Sequence, residues 1–494
     1  MTDTPSAHRH LWLAAGAILG LFALHNEWSI PLAGWLFSIC LMRFTRSSRV
    51  LPGFGLTWLA SVAATIVFLL ASNRFQFGPM FFGCVAITTV LVVPLLIDRL
   101  LSPRMSSAFL ATLIFPTTRV VGEFLIGTVS PFGTVLGPLA GTQSADLPLL
   151  QLASVTGIYG ISFLMAWTAP VANYALENRL SWPKIRTMSL IFTGVIAFVF
   201  IGGGVRLAVT PAAHDSVRVA GISASLAAED RKSALDNFHT PDVTPAQKPA
   251  LRKAFAALND DLLARSAIEA KAGAKIIVWP EAGSLTLKED YPQLLGRAAQ
   301  FAKAYHVYLD LGIGVILDEA PHIRDMTALV DPDGRTLWEF DKAHPVPGME
   351  DFPAGDGKVP VATTPYGKLG NVICFDADFP ATLRAKVDVM LVPANDWKGI
   401  EKMHSENAVF RAVENGYTLV RQASNGIAVT TDARGVTLAA SNYFSSPQQT
   451  MIAYVPTHAT WTIYGAVGDL FAWLCVAAAI ALCGLALVRP TRAA

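Results

Sequence analysis

The run LGNVICFDADFP, residues 369–380, is an apolar stretch that stops at a cysteine and opens into an acidic, aromatic segment. Short runs rich in Val and Ile read as buried strands. Similar runs recur at 274–279, 307–315, 387–392 and 418–423. Between them, Leu251, Phe255, Leu258, Leu262 and Ile268 mark a helix face that closes at Gly273, and 293–306 and 400–415 read as further helices. Strands alternating with helices predict an α/β domain with buried sheets over about residues 206–461.

Outside that domain the composition changes. The chain is 52% hydrophobic and only 15% charged, which points to a membrane protein rather than a larger soluble core. Apolar segments at 11–24, 28–42, 56–71, 79–97, 107–126, 154–176 and 188–205 precede the domain, and one at 462–488 follows it. They predict eight spans, to within one, about seven of them in 1–205 and the last in 462–494. Basic residues gather on one side of these spans: Arg9, then Arg43, Arg46 and Arg49, then Arg99 and Arg104, then Arg179, Lys184 and Arg186, then Arg489 and Arg492. The intervening turns carry only Arg74. Both termini are therefore expected in the cytoplasm and 206–461 outside it. The first segment has no small-residue cleavage site after its apolar run and reads as a retained span. A net charge of +1 without any Lys/Arg-rich run removes nucleic acid as a partner.

Of five cysteines, Cys40, Cys84, Cys475 and Cys483 lie in strongly apolar stretches and only Cys374 lies in the polar region. No disulfide framework is implied, and a lone thiol outside the membrane is a candidate nucleophile. Glu281 and Lys342 also sit where strands give out, after 275–279 and 336–340. Strand ends in α/β domains open into a common crevice, where residues remote in sequence can meet. A carboxylate in reach of a thiol can take its proton, and an ammonium can stabilise the thiolate and an oxyanion. Taken singly, each has a plain structural reading: Glu281 as a helix N-terminal carboxylate, Lys342 as a surface lysine, Cys374 as core. There is no HExxH, paired CxxC or Walker-type glycine loop, so no metal or nucleotide cofactor is implied. Gly312 and Gly314 in a strand and Gly202–Gly204 at a span end read as packing features.

The segments VWPEAGS (278–284), FDKAHPVPGMEDFP (340–353) and NVICFDADFP (371–380) resemble the Glu, Lys and Cys motifs of the nitrilase, or carbon-nitrogen hydrolase, superfamily. The resemblance implies a nitrilase-like α-β-β-α sandwich joined to a multi-pass helical membrane domain, with Glu281, Lys342 and Cys374 as the catalytic triad. The DKxHxVPxxE form of the second motif is similar to that of the apolipoprotein N-acyltransferase family. SVTGIYGISFLMA (154–166) and the acidic residue in RVVGEFL (119–125) resemble that family's membrane half. ANDWKG (394–399), the helix 404–416 and RQASNGIA (421–428) fit the same domain. The likeness implies a supporting role for Glu350, as a group that holds Lys342 or shares its proton handling, and a flap at 347–357.

Four positions depart from that pattern. Phe375 and Asp376 stand where Tyr-Glu is usual, Ala228 where a tryptophan is expected, and Lys398 where an aromatic is expected. Asp376 is still read as a supporting residue, though its carboxylate is shorter. The implied activity is transfer of a fatty acyl chain from a membrane phospholipid, through a Cys374 thioester, to the N-terminal amine of a lipoprotein at the outer face of a bacterial inner membrane. The same triad would also serve a membrane-tethered amidase or nitrilase that delivers the thioester to water.

Overall fold

In the computed structural model, which describes residues 6–24, 27–71, 78–210, 215–225, 243–446 and 450–488, the chain divides into two units. One is Met1–Thr210 with Thr462–Ala494, the other Pro211–Trp461. Arg74, Ala228, Arg489 and Arg492 lie outside the described residues.

The second unit is built from two sheets. The first contains β1 (Ser216–Ile222), β2 (Ile276–Val278), β3 (Ser284–Leu287), β4 (Tyr308–Ile316), β5 (Ile323–Val330), β6 (Thr336–Asp341) and, at the far edge, β13 (Thr450–Pro456). Its order is β13-β1-β2-β4-β5-β6, with β3 also paired to β4. The second sheet runs β12 (Thr437–Asn442), β11 (Ile427–Thr431), β10 (Thr418–Ser424), β9 (Val389–Asn395), β8 (Gly367–Asn371), β7 (Val361–Thr364). At the centre of each sheet the strands are parallel, β1 with β2 and β4, and β8 with β9 and β10.

Alternation along the strands sorts the side chains into three layers. Val219, Ile276 and Val278 of the first sheet meet Val389, Leu391 and Val420 of the second in one core between the sheets. The opposite face of the first sheet, with Ala220 and Ile277, packs on helices Lys248–Lys271 and Tyr291–Tyr305. The opposite face of the second, with Met390 and Val392, packs on Ala408 and Ala412 of helix Glu401–Asn415. This is the expected α-β-β-α sandwich. Leu251, Phe255, Leu258 and Leu262 are buried as their spacing requires, but Ile268 is 65% exposed. The six-residue step from Leu262 carries it off the stripe, and Ser266 takes the inner position, accepting a hydrogen bond from the buried Trp279.

In the first unit, and among the described residues, five helices are long and apolar enough to cross a membrane: Val50–Ala71, Met80–Arg104, Ala108–Val129, Trp182–Val209 and Leu470–Val488. A sixth is possible if the bent pair Leu147–Thr156 and Ile158–Glu177 forms one span. The expected single span over 154–176 is broken at Gly157, whose φ of 67° no β-carbon-bearing residue adopts easily. Helices Ser6–Phe22 and Pro31–Ser47, of 17 residues each, are shorter than the other spans. Arg206, the approximate start expected for the outer domain, lies in the last turn of Trp182–Val209. Inside this unit Arg119 pairs with the fully buried Glu123 at 2.8 Å and donates to the carbonyls of Leu91 and Gly137, so neither charge is left bare in apolar surroundings.

Candidate active site

Three strand ends deliver the chemistry. After β2, Trp279 and Pro280 lead into a tight turn, closed by the Gly283 amide on the Pro280 carbonyl, that presents Glu281. The turn lies directly against β4 at Gly312, where a Cβ would collide with the Pro280 carbonyl. Gly312 therefore does more than pack a strand: it lets the Glu281 turn approach. Lys342 follows β6 immediately, and its amide donates to the Asp325 carbonyl at 3.0 Å, continuing the ladder with β5. Cys374 opens the short helical turn Cys374–Asp378, three residues beyond the end of β8 rather than on it. Its φ of 46° is in the left-handed region. A non-glycine residue held there stores about 1–3 kcal/mol of strain, a cost found where the fold must aim a particular side chain.

The structure brings Lys342 onto both carboxylates named from the sequence. Its Nζ donates to Glu281 Oε1 at 2.6 Å and to Glu350 Oε1 at 2.7 Å. The Lys342 side chain is fully buried, and the Phe352 ring centroid lies 5.8 Å from its ammonium. Glu350 also accepts from the Val346 amide, and the Gly355 amide donates to the Lys342 carbonyl. The segment 347–357 is thus fastened to Lys342 at two points. A third carboxylate, Asp325 on β5, stands 3.8 Å from the same ammonium. One oxygen each from Glu281, Asp325 and Glu350 fall within 4.8 Å of one another, a spacing a divalent cation could accept, but Lys342 already fills the cation's place.

Cys374 is buried, its Sγ 3.8 Å from the Asn395 carbonyl. Burial, with the charge of Glu281 adding to it and Lys342 opposing, pushes the thiol well above its ordinary pKa. At rest the group is therefore a neutral thiol that needs a base. Burial works against the Lys342 ammonium, yet the charge of Glu281, ahead of the other acidic groups around it, outweighs burial and holds its pKa well above the usual lysine value. Lysine is then the permanent cation of the site.

Asp376, completely buried, links two of the strand ends. It accepts from the Ile373 amide at 3.0 Å, the His344 amide at 2.8 Å and His344 Nδ1 at 2.9 Å. Its shorter side chain still ties the Cys374 turn to the segment after Lys342. Phe375 and His344 both pack on Phe379, the latter stacked at 3.7 Å. Asp376→Ala strands buried amides and is expected to lower stability by about 2–4 kcal/mol, with Asp376→Asn intermediate, measured by thermal melting in detergent.

Beside Cys374 lies a second ionic group whose members the sequence pattern did not single out. Asp396, just beyond β9, accepts from Arg421 of β10 at 2.7 Å and contacts His404 Nδ1 at 3.1 Å. Cys374, Asp396 and His404 offer atoms within 4.8 Å of one another. Burial opposes ionisation of Asp396, but Arg421 and His404 overcome it and lower its pKa. A local signal existed: Arg421 interrupts the otherwise apolar start of β10, and a charge inside a buried strand demands a partner. Between the sheets, Asn371 donates to Asp310 and accepts from Thr327, both at 2.8 Å, fixing β8 against β4 and β5 three residues before Cys374.

Residues 245–460 match the family model described as carbon-nitrogen hydrolase. The chain is 27% identical over 387 residues to an apolipoprotein N-acyltransferase of Geobacter metallireducens, covering 72% of this chain and 70% of that protein. It is 27% identical over 383 residues to the protein of that name from Bradyrhizobium diazoefficiens, covering 69% and 67%. For the Rickettsia prowazekii protein of that name the identity is 24% over 317 residues, covering 58% of this chain and 59% of that one. Among solved structures, an amidase from Nesterenkonia sp. covers 50% of this chain and 92% of its own at 19% identity and a TM-score of 0.36.

Proposed function

We propose, from the match of residues 245–460 to the carbon-nitrogen hydrolase family, the likeness to apolipoprotein N-acyltransferases and the long apolar helices, that this chain moves a fatty acyl chain from a phospholipid to the N-terminal amine of a lipoprotein. The observation that carries this reading is a buried thiol set beside a carboxylate–lysine–carboxylate network, in a chain whose other unit holds helices long enough to span a bilayer.

In the first step Glu281 takes the Sγ proton as the sulfur attacks the ester carbonyl carbon. Lys342 stabilises the tetrahedral oxyanion. Collapse breaks the carbon–oxygen bond, and Glu281 returns its proton to the leaving alkoxide, releasing a lysophospholipid and leaving a thioester on Cys374. In the second step the amine attacks the thioester and Glu281 takes the amine's proton; the carbon–sulfur bond then breaks, and Glu281 returns that proton to the leaving sulfur, giving an amide, the free thiol and the ionised base. Glu350 and Asp376 hold the machinery: Glu350 fixes the second hydrogen bond of Lys342, and Asp376 joins the cysteine turn to the lysine segment. The segment 347–357, fastened to Lys342, acts as the flap that keeps water from the thioester. Both substrates are anchored in lipid, which gives the helical unit its purpose, and the charge asymmetry of the loops supports a reaction on the periplasmic side of the inner membrane.

Incubation of the purified protein with phospholipid should add one acyl mass to the Cys374 peptide and release lysophospholipid, read by mass spectrometry. Absence of both, together with hydrolysis of a soluble amide, would sink the acyltransferase reading in favour of a membrane-tethered amidase.

A further inference from the structure

The carboxylate count around Lys342 is unbalanced. Glu281, Glu350 and Asp325 share a single ammonium, and their oxygens lie within 4.8 Å of one another. Like charges at that spacing in a buried site cannot all ionise, so the cluster keeps a proton. The geometry decides which member holds it. Lys342 bonds Glu281 and Glu350 at 2.6 and 2.7 Å but stands 3.8 Å from Asp325. The Asp325 side chain is 6% exposed against 25% for Glu350, so solvent helps Glu350 and not Asp325. Asp325 Oδ1 also receives no hydrogen bond among the described residues, which is costly for an ionised oxygen and ordinary for a hydroxyl.

We propose that Asp325 is a positioning residue of the site, a neutral acid whose O–H donates to Glu281 and keeps that carboxylate ionised and oriented as the base for Cys374. The inference rests on the reading of Cys374 as nucleophile and Glu281 as its base. Burial first, and the charge of Glu281 second, push the Asp325 carboxyl well above the usual carboxylate range, in keeping with the geometry. The titratable groups facing it are Glu281 from the turn after β2, Lys342 at the end of β6, Glu350 from the following loop and, beyond the lysine, Cys374. On β4 its ladder partner is Gly314, which carries no charge. Arg324, Glu339 and Asp341 lie on the other face of β5 and β6 and pair among themselves. During acylation the thiol proton passes to Glu281 while Asp325 keeps its own. When Asp325 ionises at higher pH, a second uncompensated charge beside Glu281 opposes formation of the thiolate.

The test compares wild type, Asp325→Asn and Asp325→Ala in the full chain, following iodoacetamide alkylation of Cys374 from mildly acidic to alkaline pH, with thioester formation from phospholipid measured alongside. Asparagine is isosteric, uncharged and keeps an N–H donor for Glu281. Alkylation of Asp325→Asn should match wild type at mildly acidic pH and exceed it on the alkaline side, where wild-type Asp325 gives up its proton. Thioester formation should fall about tenfold in Asp325→Ala and be restored in Asp325→Asn, the size of one hydrogen bond to a charged group. Alkylation of Asp325→Asn about tenfold faster than wild type already at acidic pH, the effect of one pKa unit, would show an ionised Asp325 and overturn the proposal. So would equal rates at every pH, or equal losses in the two variants. If no acyl adduct forms even on wild type, the function reading fails while the alkylation profiles still decide the protonation of Asp325.

Discussion

Replacing Cys374 with alanine is expected to abolish the acyl adduct and to cut acyl transfer to a diacylglyceryl peptide by about 10⁵-fold or more, the scale at which loss of a nucleophile removes the whole covalent route. The protein should remain folded. The thiol is buried but small, and its removal costs about 1 kcal/mol. A control separates chemistry from backbone. The φ of 46° at this position strains alanine as it strains cysteine, whereas glycine adopts it freely. Cys374→Gly should therefore melt higher than Cys374→Ala while being equally inactive. Full transfer by either variant would remove Cys374 from the mechanism.

Replacing Lys342 with methionine should have the second largest effect, and on two quantities. Methionine keeps the stem but leaves the three clustered carboxyl groups of Glu281, Asp325 and Glu350 without a cation. Breaking such a network by removing one partner costs about 3–5 kcal/mol, and loss of the oxyanion donor costs about 10³-fold in the rate of thioester formation. The pH dependence follows from the sign of the shifts. Burial first, opposed by Lys342 in both cases, already holds Glu350 above and Asp325 well above their ordinary values. Without Lys342 they rise further. A group whose folded pKa is raised contributes stability that is present below its unfolded pKa and is lost as pH rises through the folded one. The variant should therefore be most damaged at neutral and alkaline pH, and its melting temperature should approach wild type as pH falls toward about 4, the unfolded carboxylate range. A gap that stays constant with pH would show that the carboxylates do not titrate as one cluster with the lysine.

The amino-acid sequence by itself determined the class of fold. Periodic apolar faces and short Val/Ile runs set the α/β sandwich, and the long apolar helices set the membrane unit, because both patterns are local and are written at the spacing of a helix or a strand. Glu281, Lys342 and Cys374 are legible as candidates for the same reason: each interrupts an apolar pattern at a strand end. The breaks within that framework were not legible to the same degree. Gly157 divides an apolar stretch that hydropathy alone reads as one span, and Ile268 mimics a core position that the helix turn rotates away.

Only the tertiary structure decided the partnerships. It set Lys342 between Glu281 and Glu350 and brought Asp325 to the same ammonium. It also placed Asp396, His404 and Arg421 beside the thiol and gave Asp376 the amides it holds. The pairings of Lys342 with Glu281, Asp396 with Arg421 and Asp376 with His344 join residues 61, 25 and 32 positions apart, and a residue's neighbours in sequence carry no record of which charge will meet it across a sheet. Burial makes the difference consequential. At the surface each group would titrate alone, but in this interior the number of carboxylates per ammonium fixes where the protons are, and that count exists only once the strands have assembled.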